Sequence, residues 1–127
     1  MELMKYLLDS VILIDHFNDV IAASEFIDKH RDEIAISPIT RAEVLTGFRT
    51  DSKQLSIAVK FLNYFELLPI SVMEADLAAK LRNSERWKLP DAFQAAIAKL
   101  NSLKLVTRNT KDFNPKNYSF VHVPYHL

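Results

Sequence analysis

The chain has 127 residues, 49% of them hydrophobic and 25% charged, with 16 basic and 16 acidic side chains. That is one domain, residues 1–127, with enough apolar mass to bury a core, and not a disordered segment. With no cysteine and a single glycine, Gly47, it can form no disulfide, thiolate metal site, glycine-rich phosphate loop or dinucleotide fingerprint, so a metal would have to be held by oxygen or imidazole.

The first element is a short buried strand at Lys5–Leu8, ending at Asp9 and Ser10. An acid interrupts the N-terminal apolar residues early, and no run approaches the ~20 residues that span a bilayer, so a cytoplasmic chain with neither signal nor membrane span is expected. Val11–Phe17 is too apolar for a surface loop and reads either as more strand or as a helix started by Asp9 or Ser10. Residues 20–30 carry Val20, Ala23, Phe26 and Ile27 at helical spacing. Ile34–Ile36 is a second strand, stopped by Ser37 and Pro38, and Pro38 suits the first turn of the helix that follows. Asp51 or Ser52 can cap the next helix, whose residues Leu55, Ala58, Val59, Leu62 and Phe65 recur at three and four.

Leu67–Ile70 is expected as a third strand, and Ser71 as the cap of a helix turning Ala75, Ala78, Ala79 and Leu81 inward. Leu89-Pro90-Asp91 opens a helix running from Asp91 to about Leu103 and rich in small residues. Leu105–Thr107 and Phe120–Val123 are the fourth and fifth strands. Short strands alternating with helices predict an α/β domain with a central parallel sheet of about five strands and helices on both faces.

In such a sheet, function gathers beyond the C-terminal strand ends, where strand order reverses. Four acids can reach that edge. Asp9 ends the first strand, Glu43 follows the second, Asp91 precedes the fourth, and Asp112 follows it. Like charges packed together raise one another's pKa, and a divalent cation removes that cost. Hard carboxylate donors suit Mg2+ or Mn2+, the chemistry of phosphodiester hydrolysis. Each acid also has a plain alternative: a helix cap at Asp9 or Asp91, a solvated charge at Glu43, a turn at Asp112. Charge is unevenly spread. Residues 1–79 hold 7 basic and 13 acidic side chains, residues 80–127 hold 9 and 3. A basic face and ordinary solvated helix charge both fit that asymmetry.

Four segments carry a family resemblance: Tyr6–Asp15, Ser37–Gly47, Leu89–Ala92 with the helix it opens, and Leu105–Phe113. Together, in order and over the whole chain, they resemble the PIN-domain ribonucleases, and most closely the VapC-like toxins of prokaryotic toxin–antitoxin pairs. The resemblance implies a single PIN-like domain and an endoribonuclease using Mg2+ or Mn2+, with Asp9, Glu43, Asp91 and Asp112 as metal-binding and catalytic acids. Ser10 and Thr107 match supporting hydroxyl positions, and Asn109 and Arg108 would line the mouth. It also implies a cognate antitoxin, and a symmetric homodimer is the commonest oligomer. Arg82, Arg86, Lys88, Arg108 and Lys111 are the candidates for contact with RNA. Asp15 reads as a helix-surface charge. Trp87 could stack on a base or cover the core, and His16, His30, His122 and His126 lack ligand spacing. The alternative within the fold is a catalytically silent module that binds RNA or protein. An aspartyl phosphotransferase is disfavoured, because the position two after Asp9 is Val11 and not an acid.

Overall fold

A computed structural model of the chain describes residues 3–127. Five strands, β1 (Tyr6–Leu8), β2 (Ile34–Ile36), β3 (Glu66–Leu67), β4 (Lys104–Val106) and β5 (Val121–His122), form one sheet in the order β3-β2-β1-β4-β5. Every pairing is parallel. Six helices connect them: α1 (Ser10–Phe17), α2 (Ile21–Lys29), α3 (Pro38–Leu45), α4 (Lys53–Leu62), α5 (Val72–Glu85) and α6 (Leu89–Leu100).

The two-residue period of a strand divides the core in two. Leu7, Ala35 and Leu105 face one side and pack with Ala95, Ile97 and Ala98 of α6, with Trp87 and with Phe113. Leu8, Ile34, Ile36 and Val106 face the other and pack with Ile12 and Leu13 of α1, Ile27 of α2, Val44 of α3 and Leu62 of α4. Helix α5 lies on α6 through Ala78, Ala92 and Ala96, whose small side chains allow close approach.

Val11–Phe17, open to two readings from sequence, is helical, and Asp9 caps it by accepting a bond from the Ser10 N–H. The third strand forms at Glu66–Leu67 and not at 67–70. It pairs with β2 through Ala35–Glu66 and Ile36–Leu67, and Leu68 N–H still reaches the Ile36 carbonyl. Pro69 then has no N–H to give, so the ladder ends on this edge. Ala79 is exposed, because α5 turns Ala78 onto α6.

From β1 the chain builds outward through β2 to β3, then crosses back to place β4 on the other side of β1. The switch point therefore lies between β1 and β4, at the end of β1 where Asp9 stands.

Candidate active site

Asp9 is locked in place by its two neighbours in the sheet. Its backbone N–H bonds the Val106 carbonyl at 2.9 Å, and its side chain accepts from Thr107 Oγ1 at 2.8 Å and from the Ser10 N–H at 2.8 Å. Only 8% of its surface is exposed. Burial pushes the carboxyl above its ordinary range, against the bonds from Thr107, Ser10 and Gln94. Thr107 Oγ1 in turn accepts from the Asn109 N–H, and Asn109 Nδ2 donates to Asp112 at 3.2 Å. The Asp112 carbonyl receives the Trp87 indole N–H at 3.0 Å. Thr107 and Asn109 thus join the first acid to the last through one hydrogen-bonded chain, and Ser10 fixes the first acid from its other side.

Asp9, Glu43 and Asp91 line one cleft of about 510 Å3, with Ser10, Val11, Arg108, Asn109, Thr110 and Lys111 around them. Asp91 sits in the first turn of α6, brought there by Pro90. Its pKa is pushed up to about 6, first by burial and then by the charges of Asp9, Asp112 and Glu43, with Lys88 opposing. Burial and the repulsion of neighbouring carboxylates both disfavour its charged form. The donor set is all hard oxygen, which fits Mg2+ or Mn2+. Among the described residues, no three His, Asp or Glu side chains are already arranged to hold an ion. An all-oxygen lining suits a hard cation such as Mg2+, which commonly keeps several of its waters.

Beneath the acids runs a buried polar network that the sequence reading missed. Gln94, 1% exposed, donates to Thr40 Oγ1 at 2.6 Å and accepts from Ser37 Oγ at 2.6 Å. Thr40 Oγ1 donates to the Leu8 carbonyl, and Ser37 caps α3 by accepting from the Thr40 N–H. The three elements that carry Asp9, Glu43 and Asp91 are bolted together there. The available signal was a lone glutamine on the alanine face of α6, since a buried amide requires partners.

Asp15 is a correction. Read as a solvated helix charge, it is 5% exposed. Arg108 binds it with two nitrogens, at 2.6 and 2.9 Å, and the Tyr125 hydroxyl donates to it at 2.8 Å. The arginine, first of these, holds its carboxyl below the usual range. A charge within the apolar run Val11–Phe17 had to be paired, and that was the signal for it. Of the basic candidates, Arg108 and Lys111 line the acidic cleft, Lys88 acts on Asp91, and Arg82 and Arg86 lie outside the cleft lining. Trp87 is buried against Phe113 and Tyr118, a core residue with no free face for a base. His16 bonds Ser24 and stacks on Phe61, His30 bonds Glu33, and His122 lies against Tyr6 and Phe26.

A family profile described as the PIN domain matches residues 6–115. The chain belongs to the PIN-domain family. It is 31% identical over 114 residues to Ribonuclease VapC10 of Mycobacterium tuberculosis, covering 84% of each protein. It is 36% identical to a chain of a toxin–antitoxin complex from Klebsiella pneumoniae, with a TM-score of 0.88 over 97% of this chain and 100% of that one. FitAcB from Neisseria gonorrhoeae, at 24% identity, shares the fold with a TM-score of 0.79 over 96% and 99% of the two chains. Among the described residues, no helix is long and apolar enough to cross a membrane.

Proposed function

We propose that this PIN domain is a metal-dependent endoribonuclease acting in the cytoplasm as the toxin of a toxin–antitoxin pair. The observation that carries the reading is the cleft at the sheet's switch point, which Asp9, Glu43 and Asp91 line and where Asp112 adds its charge. The name of the Mycobacterium relative and the complex in which the Klebsiella relative was solved support it.

Asp9, Glu43, Asp91 and Asp112 would hold Mg2+ or Mn2+. When bound, such an ion supplies water activation and charge neutralisation at a scissile phosphate. The chain's own residues prepare that chemistry. Thr107 and the Ser10 N–H fix the direction of Asp9, and Asn109 fixes Asp112. Asp91, its pKa pushed up to about 6 by burial and the neighbouring acids, would hold its charge more readily beside a cation. Lys111 and Arg108 on the rim, with Lys88 near Asp91, offer positive charge to the RNA backbone. Arg82 and Arg86, outside the cleft lining, would meet only a longer RNA.

An antitoxin fits a second cleft lined by Ile14, Phe17, Asn18, Val44, Gly47 and Phe48, which shares Glu43 with the acidic one. An antitoxin arginine passing from the apolar cleft to the acids would block metal and substrate together. The toxin itself would pair as a symmetric homodimer.

The test is RNA cleavage with Mg2+ or Mn2+ by the purified protein and by Asp9→Asn and Asp91→Asn. Each variant should fold and lose on the order of 100-fold or more in rate. Full activity in either one removes the acid cluster as the catalytic centre. Binding of RNA without cleavage by the unmutated protein makes it the silent module instead.

A further inference from the structure

Asp15, Arg108 and Tyr125 come from three places: α1, the loop after β4, and the segment after β5. They meet in one hydrogen-bonded unit. Asp15 is buried and takes the Nε and Nη2 of Arg108 in a side-on fork, while Tyr125 donates to the same carboxylate oxygen that Nε uses. The arginine is only partly covered and lines the acidic cleft beside Asn109, Thr110 and Lys111. Asp15 engages two of its three nitrogens and leaves Nη1 to other contacts.

As a source of stability such a pair is weak, because desolvating the carboxylate offsets much of the attraction. Its geometry does something else. A guanidinium held by two parallel bonds has lost its rotamer freedom before any ligand arrives, so a contact it then makes costs less entropy. The same fork keeps the cation on Asp15 and off the neighbouring acids. Asp91 feels Asp9, Asp112, Glu43 and Lys88, while Arg108, on the same cleft, is directed at Asp15.

We propose that Arg108 grips a phosphate of the RNA strand flanking the scissile one, and that Asp15 and Tyr125 are positioning residues that aim it. This deepens the nuclease reading and rests on it. The strand would cross the cleft with one phosphate at the acids and its neighbour on the rim at Arg108. Misdirecting such a contact costs rate even when the charge remains.

The test combines two readouts. In the Asp91→Asn background with Mg2+, binding of a short fluorescein-labelled single-stranded RNA of mixed sequence is followed against salt. Arg108→Gln should flatten the log–log slope by about 0.7, the contribution of one phosphate contact on a single strand. Asp15→Asn should keep the slope, because the guanidinium charge stays. In the otherwise unmutated protein, Asp15→Asn should lower kcat/KM for cleavage by about 10-fold, and Tyr125→Phe by a few-fold, per folded molecule. Tyr125→Phe carries this arm if Asp15→Asn does not fold. An unchanged slope in Arg108→Gln overturns the phosphate contact. Lower melting temperatures with unchanged cleavage per folded molecule make the unit a structural clamp and overturn the aiming role. Absence of cleavage by the unmutated protein overturns the nuclease reading instead, and the slope still decides what Arg108 touches.

Discussion

Asp91 shows how one carboxyl couples the site to stability. Its pKa rises from 3.8 unfolded to about 6 folded, chiefly by burial and then by the neighbouring acids. The folded state therefore binds the proton more tightly. The stability this contributes is complete below about pH 4 and is lost as pH rises through 6. His16 and His122, lowered chiefly by burial, pull the other way across part of that range. The informative quantity is the difference between the metal-free protein and its Asp91→Asn variant. Urea unfolding from pH 4 to pH 7 should show the variant gaining relative to the parent as pH rises, with the gain levelling off above 6. Saturating Mg2+ should shrink the gain, since a cation removes the repulsion. A flat difference curve would mean that Asp91 feels no such cluster. At this scale the placement of Asp9 at a strand end and of Asp91 at a helix start was legible, because such boundaries can be located from local pattern. The partners of Asp15 were not, since Arg108 and Tyr125 are distant in sequence and only the parallel pairing of β1 with β4 and β4 with β5 brings their segments to α1.

Each acid is as well placed as the element that carries it, and the elements are held by Gln94. Pro90 in the first turn starts α6, Asp91 follows at once, and Gln94 lies one turn on, facing inward to Ser37 and Thr40. Gln94→Leu keeps the volume nearly constant but leaves the Ser37 hydroxyl without its acceptor and Thr40 without its donor. Buried groups stranded in this way cost about 1–3 kcal/mol. Because Ser37 also caps α3, Glu43 should lose its fixed position, and RNA cleavage should fall by about 10-fold along with the denaturation midpoint. A midpoint within about 0.5 kcal/mol of the parent would show that the network is not holding these elements. Helix starts and small-residue faces were readable from sequence: Pro38 in the first turn of α3, Ser71 as the cap of α5, the alanines of α6. The third strand was misplaced because Leu67–Ile70 is a short apolar run, while the ladder is decided by what β2 can pair and by the missing N–H of Pro69.

The whole molecule places its two clefts side by side, one acidic and one apolar, with Glu43 on the wall of both. The apolar cleft, about 220 Å3, is formed where α1 meets α3 and the turn after it, with Ile14 partly exposed and Phe17 set edge-on to Phe48. A partner filling it would bury Ile14 and Phe48 and stand one short step from the acids. Two consequences separate this arrangement from binding elsewhere on the surface. Ile14→Ser removes an apolar contact without adding charge near the acids, so it should weaken capture of the proposed antitoxin by about 10-fold, about 1.4 kcal/mol, while RNA cleavage persists. If the partner's arginine also enters the acidic cleft, it competes with metal for the same carboxylates, and the apparent affinity should fall as Mg2+ is raised. Titrating the proposed antitoxin by calorimetry, into both forms and at low and high Mg2+, measures both effects. A complex indifferent to Ile14→Ser and to Mg2+ would place the partner on another face and leave the acidic cleft open to RNA within the complex.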